Sequence, residues 1–256
     1  MPQVTSHVPG TFCWIELATS DAPAAKEFYT RLFGWTTRVI PMGESGDYIM
    51  LMKDGAEVGA LYENTQMPPN WLSYVAVESA DDAAKTARDL GANLMGDPFD
   101  VFDAGRMAVI TDPQGATFAV WEAKKHIGLK VWGEDNTLVW NELATTDEDA
   151  ASSFYTSLFG WRAKTGDHAD FRYTEFHVGE RAIGGMYKLK PEMEGVPPHW
   201  IPYIAVPDCD ATIASAQSFG GSVMMPPMDI PGVGRFSVIK DPQGAALAII
   251  TVQPRQ

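Results

Sequence analysis

The sequence predicts an α+β protein built from four βαβββ modules, arranged as two tandem domains. The chain repeats itself, because residues 28–35 (FYTRLFGW) return as residues 154–161 (FYTSLFGW), 126 positions later. Short stretches of strand-like alternation outnumber helical patterns in each half. The turn sequence Asp-Pro-Gln-Gly also occurs twice, at residues 112–115 and 241–244. A repeat of this length indicates a duplicated architecture.

Composition favours a globular protein without nucleic-acid or membrane partners. The 256 residues are enough for two domains, and 45% are hydrophobic and 20% charged. A net charge of −14 argues against nucleic acid and anionic membranes, which need clustered Lys and Arg. No apolar run reaches transmembrane length, and the first residues lack the pattern of a signal peptide. We therefore expect a cytoplasmic protein, with no disulfide framework from its two cysteines.

Each half opens with a strand and an amphipathic helix. Residues 11–18 read as a buried strand that puts Trp14 and Glu16 on one face and Ile15 on the other. The helix that follows has Asp21 as its N-cap, a single apolar stripe, and Gly34 as a left-handed stop. In the second copy Thr146 or Asp147 takes the capping position.

The remaining elements complete the modules in order. Three short strands follow the first helix, at residues 36–39, 47–52 and 57–62. A rigid Pro-Pro bend leads into the second module, which contains a strand at 71–77, a helix at 81–90 and three more strands, the last two at 106–111 and 116–121. The second half repeats this order. We predict domains at residues 8–123 and 137–253, joined by a linker at 124–136.

Two motifs carry a resemblance to a known family. They are Asp21 followed by Phe28-Tyr29-x-x-Leu32-Phe33-Gly34, and Asp112-Pro113-x-Gly115, and both recur in the second half. With them the chain resembles the vicinal oxygen chelate superfamily of glyoxalases, bleomycin-resistance proteins and extradiol dioxygenases, and within it the tandem two-domain glyoxalase-related branch. The resemblance covers nearly the whole chain and implies curved mixed or antiparallel sheets that enclose cavities. It leaves the chemistry open, because such relatives range from metalloenzymes to drug binders.

The resemblance also places the family's metal ligands, and this chain has no donor at those positions. A divalent ion needs imidazole nitrogen or carboxylate oxygen. The matching residues are Trp14, Ala60, Leu72 and Ala119 in the first half, and Trp140, Gly185, Ile201 and Ala248 in the second. We therefore expect no metal and no other cofactor. A shift of one residue in the alignment would instead make ligands of Glu16 and Glu142.

The remaining charged candidates are two carboxylates and two arginines. Glu16 and Glu142 share the strand face that lines the family's cavity, and could be a general acid or base, or a buried carboxylate with a structural role. Arg106 and Arg235 each follow a glycine and open a late strand. They could hold an anionic substrate group, pair with the two glutamates, or brace the Asp-Pro-Gln-Gly turn.

Aromatic and histidine residues complete the predicted site. Large aromatic residues on strands either belong to the core or form a surface on which flat ligands stack. In this chain the candidates are Trp14, Trp140, Trp71, Trp200, Tyr74 and Tyr203. In the second half Tyr173, Glu175 and His177 alternate along one strand, and His199 replaces an asparagine of the first half. The His/Glu pair could transfer protons, form part of a metal site, or face solvent.

These residues favour a protein that binds a small, largely aromatic or apolar organic molecule without a metal. The alternative is a glyoxalase-like lyase or isomerase, or a hydroxylase-type enzyme, with Glu16 or Glu142 as base and Arg106 or Arg235 as oxyanion partner. A scaffold role is the third possibility. A duplicated chain can supply internally the pairing that single-domain relatives reach by dimerising, so we expect a monomer or a homodimer.

Overall fold

The computed structural model describes residues 4–43, 46–168, 171–193 and 195–253. In the first half the elements are β1 (Phe12–Thr19), α1 (Ala22–Phe33), β2 (Thr36–Pro41), β3 (Asp47–Lys53), β4 (Ala56–Glu63), β5 (Asn70–Ala76), α2 (Ala80–Asp89), β6 (Asn93–Leu94), β7 (Phe99–Val101), β8 (Gly105–Thr111) and β9 (Thr117–Ala123). The predicted order of elements is confirmed. The strand after α2, for which no bounds were predicted, consists of two short pieces, β6 and β7.

The second half repeats the first. Its elements are β10 (Leu138–Thr145), α3 (Glu148–Phe159), β11 (Arg162–His168), β12 (Phe171–Val178), β13 (Arg181–Lys188), a short 3₁₀ helix (Pro191–Met193), β14 (His199–Ala205), α4 (Cys209–Ser218), β15 (Ser222–Ile230), β16 (Gly234–Lys240) and β17 (Ala246–Val252). None of the four α-helices in the described ranges has the length and apolarity of a membrane span.

Each half forms one mixed, curved sheet from its two modules. The strand order is β2-β3-β4-β1-β5-β9-β8-β6 in the first half, where β7 also pairs with β8, and β11-β12-β13-β10-β14-β17-β16-β15 in the second. In the first sheet β1 runs parallel to β4 and antiparallel to β5. The opening strands β1 and β10 therefore lie at the centre, and their alternate residues point into the concave face.

The predicted helix signals are confirmed at both copies of the first helix. The Asp21 carboxylate accepts a hydrogen bond from the Ala24 amide at 2.9 Å, and Gly34 ends α1 with a φ of 69°. In the second half the N-cap is Asp147, not Thr146, and Gly160 ends α3 with a φ of 68°.

The two halves exchange a buried tyrosine–aspartate hydrogen bond in each direction. Tyr29 of α1 donates to the carboxylate of Asp241 at 3.0 Å. Tyr155 of α3 donates to the carboxylate of Asp112 at 2.9 Å. The Asp-Pro-Gln-Gly turn of each half therefore receives the first helix of the other half. Between the sheets the Ser73 hydroxyl also donates to the buried Asn141 side chain at 2.6 Å.

Candidate functional site

The concave face of the first sheet has a glutamate at its centre, held by two tyrosines. Glu16 lies in the middle of β1, between Ala60 of β4 and Leu72 of β5. Its carboxylate accepts hydrogen bonds from the Tyr48 hydroxyl at 2.7 Å and the Tyr74 hydroxyl at 2.6 Å. The indole of Trp14 donates to the Tyr48 oxygen at 3.1 Å. These four side chains form one connected polar network.

The second sheet contains the same network. The Glu142 carboxylate accepts hydrogen bonds from Tyr173 at 2.9 Å and Tyr203 at 2.6 Å. The Trp140 indole donates to the Tyr173 oxygen at 3.0 Å. Tyr173 lies directly over Gly185 of β13, where a Cβ atom would collide with its ring and hydroxyl. The glycine therefore makes room for the tyrosine to reach Glu142.

Burial raises the pKa of both central glutamates above the ordinary value of a carboxyl group, while the two tyrosine hydrogen bonds at each site lower it. At Glu16, nearby His126 lowers it further. Burial and the adjacent carboxylate hold the pKa of the tyrosines well above that of free tyrosine, so the hydroxyls keep their protons at neutral pH and act as donors. Each site therefore contains a proton acceptor held between two neutral donors.

An apolar wall extends from each network to the outer edge of its sheet. In the first half the Met107 sulfur lies 4.0 Å from the Tyr74 hydroxyl, and Phe99 pairs with Met107 in the neighbouring strand while 51% exposed. In the second half Phe236 packs 6.0 Å from the Tyr203 ring, and its strand partner Met228 is 52% exposed. Paired residues of antiparallel strands share a face. Both concave faces thus present exposed apolar surface beside the glutamate.

The linker covers one end of the first concave face. The His126 ring packs edge-on against Trp14 at 4.6 Å, and the His126 carbonyl accepts a hydrogen bond from the Trp121 indole at 2.8 Å. The next residues bridge β1 and β4, because Leu129 donates to the Cys13 carbonyl at 2.8 Å and Lys130 donates to the Glu57 carbonyl at 2.9 Å. Trp14 is left only 4% exposed.

The corresponding end of the second concave face is more open. Trp140, the counterpart of Trp14, is partly exposed. Beside it lies a recess of about 30 Å³, also lined by Trp132 and Arg181, whose guanidinium stands 3.7 Å over the Trp132 ring. A larger recess of about 600 Å³ lies beside the N-terminal segment, lined by Arg38, Glu57 and Lys130 among others, and does not include either central glutamate.

The second concave face has a histidine–carboxylate pair on β12, at the positions of Met50 and Met52 in the first half; on the first face the histidine beside a carboxylate is His126 of the linker, whose Nδ1 lies 3.5 Å from Glu57. His177 Nε2 and the Glu175 carboxylate are 3.0 Å apart. The His177 side chain is only 9% exposed, so the solvent-facing interpretation, one of the three considered for this pair, does not fit His177. His199 lies on the same face but at the rim, where its Nδ1 donates to the Pro197 carbonyl at 2.8 Å, and it is not joined to the glutamate network.

Arg106 and Arg235 lie on the opposite face of their sheets from the glutamates. Arg106 pairs with Glu122 across the ladder, and its guanidinium binds the Asp81 carboxylate at 2.7 and 2.9 Å. Arg235 binds Asp210 in the same way at 2.7 and 3.0 Å. Both aspartates open a second-module helix. Pairing with Glu16 and Glu142, one of the three roles considered for the arginines, is therefore not formed, and the structure does not bring the arginines to the candidate site.

Trp71 and Trp200 likewise lie outside the concave faces. The Trp71 indole donates to the Tyr29 oxygen at 3.0 Å, and the Trp200 indole donates to the Tyr155 oxygen at 2.8 Å. Both are buried at the junction between the two halves. The interpretation of these two tryptophans as a ligand surface is therefore not supported by their position, and the core interpretation fits them.

Sequence reasoning placed Tyr173 on a strand face but did not identify it, or its counterpart Tyr48, as a partner of a central glutamate. The signal was available in the repeat, because the two tyrosines lie 125 positions apart, close to the 126 that relates Glu16 to Glu142. A polar residue that both copies keep on the same face as a central glutamate is a candidate partner for it.

Comparison with known proteins identifies the family. The model of the glyoxalase/bleomycin resistance protein/dioxygenase superfamily matches residues 11–120 and again residues 137–249. The chain belongs to this superfamily. It is 41% identical over 263 residues to the Mycobacterium tuberculosis protein named "Putative glyoxylase CFP32", covering all of both chains. It is 34% identical over 266 residues to the anthracycline biosynthesis protein DnrV of Streptomyces peucetius, covering 98% of this chain and 96% of that one.

Solved structures of a glyoxalase and a dioxygenase have the same fold. A Mn(II)-bound glyoxalase from Novosphingobium aromaticivorans superposes with a TM-score of 0.68 at 15% identity, covering 97% of this chain and 84% of the other. The 2,3-dioxygenase LapB from Pseudomonas sp. KL28 gives 0.67 at 10% identity, covering 98% and 95%. At these identities the likeness concerns the fold.

The side chains at the candidate site do not fit a divalent ion such as the Mn(II) of that glyoxalase. Both carboxylate oxygens of Glu16 and of Glu142 already accept a tyrosine hydroxyl. Within the described residues, no three His, Cys, Asp or Glu side chains come together in a way that could hold a metal. A metal site needs three or four such donors, and one glutamate flanked by neutral tyrosines supplies one.

Proposed function

We propose that this protein binds a small, largely planar organic molecule on its concave sheet faces, without a metal ion at the position used by superfamily metalloenzymes. The observation that carries the proposal is the arrangement found on both faces. A central glutamate is held by two tyrosine donors, and an exposed apolar wall leads from it to the sheet edge. Binding sites for small molecules typically combine a mostly apolar lining with a few fixed polar groups.

The similarity to an anthracycline biosynthesis protein supports a planar polycyclic ligand. Such a ring system can lie along the apolar wall and present an oxygen atom to the tyrosines. The second concave face is the better candidate, because the linker covers Trp14 in the first half while Trp140 stays partly exposed.

The test is a titration of the full chain with 2-methoxyanthraquinone, followed by tryptophan fluorescence and equilibrium dialysis. We expect saturable quenching, which Trp140→Phe reduces more than Trp14→Phe does. Quenching that does not saturate, together with no retention in dialysis, would refute the proposal. Elemental analysis of the same untagged protein provides the metal test, because one equivalent of Zn, Ni, Fe or Mn per chain contradicts the metal-free site.

An enzyme is the second candidate, and one observation favours it. Burial raises the pKa of Glu142 above the ordinary value of a carboxyl group, and a raised carboxyl pKa is one feature of general acid–base sites. In that case Glu142 would accept a proton from a bound carbon acid, and Tyr173 or Tyr203 would donate to the oxygen that becomes negative. Glu142→Gln should then abolish turnover of a bound carbonyl compound while retaining binding; equal turnover by the variant would exclude this role.

A further inference from the structure

The linker places a flat ring on the aromatic part of the first concave face. The imidazole of His126 packs edge-on against Trp14, with ring centres 4.6 Å apart, and against Trp121, with ring centres 6.0 Å apart. Trp14 lies two residues before the central glutamate and shares its strand face. Trp121 pairs across the ladder with Met107 of the apolar wall. Both indoles therefore belong to the concave face, and His126 covers them.

The linker is held in this position by contacts of both the backbone and the ring of His126. The His126 amide donates to the Ala104 carbonyl at 3.0 Å, and the His126 carbonyl accepts from the Trp121 indole at 2.8 Å. Nδ1 of the ring lies 3.5 Å from the Glu57 carboxylate, which also binds Arg38 at 2.6 Å. Nε2 is buried without a hydrogen-bond partner among the described residues, which opposes this placement. The aromatic contacts and the linker backbone therefore keep the ring on the face.

The second concave face has the same glutamate network without such a ring. Trp140 is the counterpart of Trp14 and is partly exposed, whereas Trp14 is only 4% exposed. The repeat places Ile250 at the position of Trp121. None of the ring contacts in the described part of the chain involves Trp140. Trp140 is therefore available for stacking, whereas its counterpart on the first face is already covered by the protein's own imidazole.

We infer that His126 determines which concave face is available to a ligand. Its ring occupies the aromatic surface of the first face as a flat ligand would, so the linker limits the protein to one ligand per chain, bound at the second face. This inference rests on the proposed function and deepens it, because it gives the linker an autoinhibitory role at one of the two proposed sites. The block depends on the presence of a flat ring, and loss of the ring frees Trp14 and Trp121 for stacking.

The test counts the ligands bound by the full chain in equilibrium dialysis against 2-methoxyanthraquinone. We expect one equivalent per wild-type chain, and two per chain for His126→Ala, which removes the ring and keeps the linker backbone. His126→Phe retains a flat ring at this position and should bind one equivalent. The affinity of the first equivalent should stay within about two-fold in both variants, because neither changes a residue of the second face. Lys125→Ala is the matched control, since this neighbouring linker side chain is exposed and pairs with Asp103 at the surface, and it should bind one equivalent.

A measurement on the wild-type protein keeps the inference testable if His126→Ala does not fold. NMR of histidine-labelled protein follows the ring of His126, whose signals should stay unchanged on addition of the first equivalent of 2-methoxyanthraquinone, because the ligand binds at the second face. A shift of these signals with the first equivalent would overturn the inference. Two equivalents bound by the wild type, or one bound by folded His126→Ala, would also overturn it while leaving the proposed function standing. Binding by none of these proteins would overturn both.

Discussion

Replacing Tyr155 with phenylalanine tests the junction that holds the two halves together. The Tyr155 side chain is fully buried, and its hydroxyl donates to Asp112 at 2.9 Å while accepting from the Trp200 indole at 2.8 Å. Tyr155→Phe removes one oxygen atom and keeps the ring, which stacks 5.7 Å from Trp161. The change therefore isolates the hydrogen bonds from the packing.

The expected decrease in the free energy of unfolding follows from the buried polar groups that lose the Tyr155 hydroxyl as a hydrogen-bond partner. The substitution leaves a buried indole N–H and a buried carboxylate oxygen without this partner, at about 1–3 kcal/mol each. The other oxygen of Asp112 still accepts from three backbone amides, of Gln114, Gly115 and Ala116, so the charge remains partly compensated. We expect a loss of about 3 kcal/mol, a large share of a typical total stability of about 5–15 kcal/mol.

Urea unfolding followed by circular dichroism and by tryptophan fluorescence measures the loss. Tyr187→Phe is the matched control, because Tyr187 is half-buried and none of the side-chain hydrogen bonds seen in the described part of the chain involves it, so its loss should stay below about 0.5 kcal/mol. A loss below about 1 kcal/mol for Tyr155→Phe would refute the assignment of this junction as a stabilising contact. If the two probes separate in the variant, the halves unfold independently once the contact is weakened.

Three further predictions concern the carboxylate, the linker and the opposite face. Because burial raises the pKa of Glu142, the folded protein binds more protons than the unfolded chain between the two pKa values. The free energy of unfolding should therefore fall as the pH rises from the pKa of glutamate in the unfolded chain, about 4.3, toward the pKa of Glu142 in the folded protein. Glu142→Gln should flatten that dependence of the urea midpoint, and an unchanged slope would contradict it. Gly128→Ala should displace the linker from Trp14, because a Cβ at this position collides with the Cys13 carbonyl of β1 and the φ of +105° disfavours alanine. Acrylamide should then quench the fluorescence of Trp14 more strongly. Unaltered quenching would argue against the linker as a cover. Arg106→Gln should break the ion pair with Asp81 and leave anthraquinone affinity within about two-fold, whereas a larger change would place the arginine in the binding site.

The fold could be predicted from the sequence because its signals are local and occur twice. Asp21 and Gly34 bracket α1 with the chemistry that each helix end requires, and the second copy repeats them at Asp147 and Gly160. The repeat serves as an internal alignment, so any pattern seen in one half is checked against the other. The position of Glu16 on the concave face was inferred differently, from the resemblance to the superfamily, because Glu16 lies two residues after the position of the family's first ligand and so shares its strand face.

The assignment of aromatic residues to faces was less successful, and the reason is geometrical. Trp71 and Tyr74 lie on the same strand, three residues apart, and so point to opposite faces of a regular sheet. Tyr74 reaches Glu16, whereas Trp71 reaches Tyr29 at the junction between the halves. Because their separation is an odd number of residues, Trp71 and Tyr74 cannot share a face of a regular strand. The type of residue alone does not show this.

The role of the linker could not be inferred from periodicity. His126 and Leu129 belong to a segment with no regular structure, whose contacts join it to strands more than 100 residues earlier. Nothing in the local sequence indicates which surface an irregular segment covers. The positive φ of Gly128 and its close approach to the Cys13 carbonyl both require glycine. This requirement indicates where the linker packs, but it can be recognised only once the fold is known.

Comparison of the two halves distinguishes the contacts that maintain the architecture from the residues that differ between the two concave faces. The tyrosine–aspartate–tryptophan contacts at the junction are the same in both directions, as their purely structural role requires. The Trp-Glu-Tyr-Tyr networks are also the same, so the basic capacity of each concave face is shared. The differences lie at the margins of the faces, where the second half has His177 in place of Met52 and where Trp140 is more exposed than Trp14. Because both halves fold on the same contacts, substitutions at these margins are compatible with the fold, and we expect any difference in ligand selectivity between the two proposed sites to arise there.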